Sequence, residues 1–74
     1  MKAYFVRKQN FSGNYRSTEY KTLHEAEIAV DEIKKVNSFL DKEIQIHGWV
    51  TEWNGYALKD GSKVTESTRM ILEF

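Results

Sequence analysis

The sequence predicts an α+β fold: an antiparallel sheet with a single helix packed on one face, in the order β-β-α-β-β-β. Three observations predict it. Only residues 23–37 carry a long helical periodicity. The segments on either side are rich in aromatic and β-branched residues that alternate with polar ones. Asn- and Gly-containing turns divide those segments, at residues 9–14, at Asn54-Gly55 and at Asp60-Gly61.

Residues 3–8 and 15–21 flank a polar turn over residues 9–14 and read as a hairpin. Thr22-Leu23-His24-Glu25 is a capping box, in which the threonine hydroxyl takes the Glu25 amide and the Glu25 carboxylate reaches back to the Thr22 amide. Ala26, Ala29, Val30, Ile33 and either Val36 or Asn37 then form one apolar stripe. Glu25 and Glu27 in the first turn and Lys34 and Lys35 near the end complement the helix dipole, and Asp31 is placed to pair with either lysine. Asn37-Ser38 is the expected stop, because asparagine tolerates a left-handed cap. Residues 44–53 read as a long strand, and Asn54-Gly55 as a two-residue hairpin turn leading into residues 56–59. Residues 60–67 fit either a short strand or a loop. Residues 68–74, rich in apolar side chains, close the sheet.

The 74 residues suffice for a single small domain, residues 1–74. At this size folding buries only about 60% of the surface exposed by the unfolded chain, so the core is thin. Without cysteine, no disulfide and no thiolate metal site can brace it. A charged fraction of 30% beside 14% aromatic residues belongs to a folded globule rather than a disordered chain. The first apolar run, Ala3-Tyr4-Phe5-Val6, is too short for a signal peptide and no segment is long enough to span a membrane. The expected compartment is the cytoplasm. There the Asn10-Phe11-Ser12 glycosylation pattern is a chance match in a turn.

One helix can roof only one face of such a sheet. Alternation puts Ile44, Ile46 and Val50 on the helix side, and Gln45, His47, Trp49, Thr51 and Trp53 on the other. A face left to water should read polar, whereas this one carries two tryptophans. A bulge at Gly48 reverses the parity beyond it and sends Trp49 and Trp53 into the core. Without one, Trp49, Trp53 and Tyr56 become binding anchors with His47 and Thr51 as polar neighbours. A second copy of the chain is one means of covering such a face, since isologous dimers are the commonest oligomers.

Catalytic patterns are scarce. No serine or lysine sits in a nucleophile elbow or a Ser-x-x-Lys pair. His24 has Ile28 four residues on, which breaks the two-ligand helical face that a metal needs. The four glycines are dispersed and cradle no phosphate. The expectation is therefore no enzyme, no cofactor and no metal.

Charge is unevenly spread despite a net charge of zero. Residues 1–21 hold five bases (Lys2, Arg7, Lys8, Arg16, Lys21) against Glu19, whereas residues 22–43 are acidic. Interleaved with Tyr4, Phe11, Tyr15 and Tyr20, the cations Arg7, Lys8, Arg16 and Lys21 make nucleic acid an alternative partner, tracked along its phosphates. The stretch from Tyr15 through Thr22-Leu23-His24-Glu25-Ala26 resembles the sheet-to-helix step of the arm-binding domains of tyrosine recombinases. The likeness covers less than half the chain, which lacks a third strand before the helix, and no function is carried across. The expected role is a small protein-binding module, an inhibitor, regulator or adaptor. Its expected partner is another protein or a second copy of itself as a homodimer, with no membrane involved.

Overall fold

The computed structural model describes residues 1–10 and 12–74. Four strands, β1 (Lys2–Gln9), β2 (Tyr15–Tyr20), β3 (His47–Ala57) and β4 (Lys63–Glu73), form one antiparallel sheet. Their spatial order is β2-β1-β3-β4, and the helix α1 (Leu23–Asn37) lies on one face. The α+β class and the single helix on one face agree with the sequence.

The β1–β2 turn is held by Asn10, whose Oδ1 accepts from the amides of Ser12 and Asn14 at 3.0 and 3.1 Å. Phe11, the middle residue of the glycosylation pattern and one of the hairpin aromatics, lies outside the described residues. The helix starts where the capping box places it, with Thr22 Oγ1 accepting from the Glu25 amide at 3.2 Å; among the described residues the expected return bond from the Thr22 amide to the Glu25 carboxylate is not formed. Ala26, Val30 and Ile33 from its buried stripe close on Val6 of β1 and Val50 of β3. Those five residues are the core on the helix side, and Tyr4, Tyr20, Ala29, Ile46, Ile71, Leu72 and Phe74 pack around it. Val36 falls outside the stripe and is exposed. Among the described residues Asp31 forms no ion pair with Lys34 or Lys35; all three are solvated.

The helix stops at Asn37 for a reason other than a left-handed cap. Among the described residues none besides glycine has a positive φ, and Ser38 keeps right-handed geometry. Instead, Asn37 Nδ2 donates to the Ile46 carbonyl at 2.8 Å, and Asn37 Oδ1 accepts from the Ile46 amide at 2.7 Å. Gln45 Nε2 returns to the Asn37 carbonyl at 3.2 Å. This clamp ties the end of α1 to the chain entering β3, and it holds residues 42–46 out of the sheet. Lys42–Ile44 form a 3-10 turn, so Ile44, expected on the core side of a strand, is exposed.

The larger departure concerns Asn54-Gly55, which is no turn. β3 runs through it for eleven residues, with Asn54 paired to Ser67 and Gly55 to Thr65. The two-residue turn expected there needs positive φ at both central residues, and Gly55 is not among the glycines that have it. The reversal comes later. Leu58 N donates to Ser62 O at 2.7 Å, Gly61 adopts φ +88°, and Asp60 accepts from the Ser62 amide and hydroxyl. The hydroxyl bond first, then the amide bond, holds the Asp60 carboxyl below its ordinary pKa. Two expected strands thus merge into one, residues 63–67 join the last strand, and the described residues form a sheet of four strands rather than five.

Candidate functional site

The register between β1 and β3 is unbroken from Lys2 opposite Asn54 to Gln9 opposite His47. Gly48 therefore hosts no bulge. Its role is close approach: a Cβ there would run into the Arg7 carbonyl oxygen. The two irregularities lie in the β3–β4 ladder, at Val50/Thr51 and Asn54/Gly55, and in both the extra residue (Ile71, Glu66) belongs to β4. β3 keeps a single alternation throughout. Val50 faces the helix, while His47, Trp49, Thr51 and Trp53 share the opposite face with Ala3, Phe5 and Arg7 of β1.

That face is divided by the two tryptophans. Beyond Asn54, β3 and β4 outrun β1 as a two-stranded ribbon, and bulges increase the bend and twist of such a ribbon. The ribbon curls toward the face opposite the helix. Trp53 lies beneath it, only 6% exposed, with its ring against Gly55 and its Nε1 donating to Thr65 Oγ1 at 2.7 Å. A ring laid over a strand glycine restores the apolar cover that the glycine lacks. Lys63 Nζ stands 5.6 Å from the Trp53 ring centre, at cation–π range, and 2.9 Å from Glu19 Oε1 of β2. Trp53 is thus a packing residue within the chain.

At the other end the face is open. Trp49 is partly exposed and meets Tyr15 edge to face, with ring centres 6.0 Å apart and planes at 69°. Tyr15 itself is 63% exposed. Trp49 walls two shallow concavities of about 280 Å³ each. One is lined by Arg7, Tyr15, Arg16 and Ser17, the other by Gln9, His47, Glu73 and Phe74. Met70, opposite Thr51, adds an exposed thioether beside them.

Of the residues singled out from sequence as protein-binding, Trp49, His47 and Thr51 come together on the open part of this face. Trp53 shares the face beneath the ribbon, and Tyr56 lies by alternation on the other side. The basic set is likewise divided. Arg7 faces the tryptophans, and Lys8 lies on the helix side opposite Arg16. Lys21 follows the end of β2. Arg16, on the edge strand, borders concavities on both sides. Tyr15 and Met70 were missed as patch members. The signal for Tyr15 was the hairpin register, which sets it opposite Gln9.

Among the described residues no cluster of three or more His, Asp or Glu side chains is arranged to hold a metal ion, and no helix is long and apolar enough to cross a membrane. No family model, no curated protein sequence and no solved structure matches this chain.

Proposed function

We propose that the chain is a small non-enzymatic protein-binding module, acting as inhibitor, regulator or adaptor, that docks through the Trp49–Tyr15 pair on the open sheet face. The observation that carries this reading is the edge-to-face contact of these two rings on the side away from the helix, one ring partly and the other largely exposed. Tryptophan, tyrosine and arginine supply most interface hot spots, and methionine is enriched beside them. Arg7, Met70, His47 and Thr51 surround the pair as an adaptable polar and thioether rim. The flanking concavities are too shallow and open to enclose a substrate, but they suit a side chain inserted from a partner.

The test is affinity capture from the native cell with matched variants. A partner held by the wild-type chain is lost with Trp49→Ala and Tyr15→Ala, while both variants keep the wild-type circular dichroism. Tyr56→Ala, on the other side of the sheet, keeps the partner. Loss with Tyr56→Ala and retention with Trp49→Ala overturns the reading.

One observation favours a second reading, single-stranded nucleic acid. Arg7 and Arg16 border the same concavity as Tyr15 and Trp49, which combines cations for phosphates with rings for base stacking. Oligonucleotide binding that falls steeply with salt supports it, and absence of binding at low salt eliminates it.

A further inference from the structure

We infer that β2 is a self-pairing edge: two copies of the chain join antiparallel through Tyr15–Tyr20, making one eight-stranded sheet with both helices on the same face. The pairing surface is the backbone edge of β2 and its helix side; it meets the aromatic face proposed above only at Tyr15 and the neighbouring Arg16 and Ser17.

The two sheet edges differ in how they are protected. β4 carries two bulges and places Lys63, Glu66 and Arg69 along its length. β2 pairs with β1 in unbroken register over all six residues, with no bulge, no proline and no lysine inside it. Bulges, prolines and charged side chains, lysine above all, are the usual devices against edge pairing, and of these β2 has only Arg16 and Glu19, which are of opposite sign.

The helix also leaves an apolar shelf above this edge. Between α1 and β2 runs a groove of about 230 Å³ whose floor is Thr18, Tyr20, Ala29, Ile33 and Val36, with Lys8 and Glu32 on its rim. Ile28 and Val36, on the helix, are 46% and 49% exposed. An added strand would set alternate side chains into that groove and bring a second helix beside the first.

Charge selects the occupant. At the hairpin end of β2, Lys8 and Arg16 border a concavity with Ile46. At the helix end, Glu25 and Glu32 border one with Tyr20. Among the described residues none of these four charged side chains is in an ion pair. Antiparallel self-pairing turns the basic end of one copy onto the acidic end of the other. A twofold axis normal to the sheet keeps both helices on one face, so only residues of like parity oppose each other. Centring it on Thr18 places Arg16 opposite the partner's Tyr20, beside those carboxylates. Opposite charges set near one another across such a seam also fix its register.

The chain has no cysteine, so Thr18→Cys introduces a unique thiol at the twofold axis. Sedimentation of the wild-type chain is expected to show a dimer, and mild oxidation of Thr18→Cys to link it covalently. Ser67→Cys on β4 stays unlinked. Arg16→Glu is expected to weaken self-association by about tenfold or more, with Glu32→Lys in the same chain restoring it. A wild-type chain that stays monomeric at the highest soluble concentration overturns the proposal, as does a dimer that links through Ser67→Cys and not through Thr18→Cys. Trp49→Ala leaves this dimer intact, so loss of partner capture and loss of self-association are read separately.

Discussion

Lys63 Nζ lies 2.9 Å from Glu19 Oε1, although β4 and β2 are opposite edges of the sheet. The contact exists because the ribbon curls across the face, and it closes that curl over Trp53. Both side chains are nearly half exposed, so water screens the pair. Lys63→Ala is expected to cost less than about 1 kcal/mol in urea unfolding. Amide exchange in the distal half of β4 is expected to accelerate all the same. A loss of several kcal/mol would show the ribbon to be held by charge.

The two tryptophans are expected to part under truncation. Trp53→Ala removes a buried indole and should cost about 3 kcal/mol or more, enough to unfold much of so small a chain. Trp53→Phe keeps a ring over Gly55 and loses the bond to Thr65, for about 1 kcal/mol. Trp49→Ala should stay near 1 kcal/mol, because its ring is only partly covered. Urea midpoints of the three variants check the order.

Gly48→Ala is expected to destabilise by about 2–3 kcal/mol. The added methyl meets the Arg7 backbone, which is fixed at the centre of the sheet and has no rotamer to change. Gly61→Ala meets no atom and costs only the left-handed conformation, about 1–2 kcal/mol. Thermal unfolding of both should rank Gly48→Ala lower.

Asn37→Ala removes both bonds of the clamp on Ile46 and should cost about 2 kcal/mol. Asn37→Asp keeps the acceptor for the Ile46 amide, but sets a carboxylate against the Ile46 carbonyl in place of a donor. It should recover less than half of the loss at neutral pH. Chemical denaturation at neutral and acidic pH separates the two, because protonation returns a donor to the aspartate.

The Asp60 carboxyl titrates below its ordinary value because the Ser62 hydroxyl and amide bond its charged form. A depressed folded-state value means that the turn is stabilised above the ordinary carboxylate range. The stabilisation disappears as pH falls through the lowered value. Ser62→Ala should move the Asp60 titration, followed by NMR, back up toward the ordinary value.

The helix signals in the sequence were reliable because their partners lie within the same segment, and signals that depend on distant partners were absent. The helix bounds follow from Thr22, whose hydroxyl caps three residues away, and from a stripe that repeats within the same segment. The Asn54-Gly55 dipeptide misled because its turn preference is local, whereas Gly55 is held extended by Thr65, ten residues on, and covered by Trp53. Asn37 was recognised as a stop but not for its grip on Ile46, a partner that only the folded path brings near. In the candidate site the shared face of His47, Trp49 and Thr51 was legible from alternation. The position of Tyr15 against Trp49 was not, since it depends on Arg7 of β1 lying opposite Trp49.

That central pairing of β1 with β3 sets the order in which a nascent chain can mature. β1 precedes β3 in the chain, yet the two are separated by the whole of β2 and α1. Val6 cannot meet Val50 until β3 has left the ribosome, and until then the hairpin and the helix have only half a floor to rest on. The core therefore closes only when β3 docks against β1 and the helix. The early chain meanwhile spends its time with apolar surface uncovered, a window in which holding factors would find it.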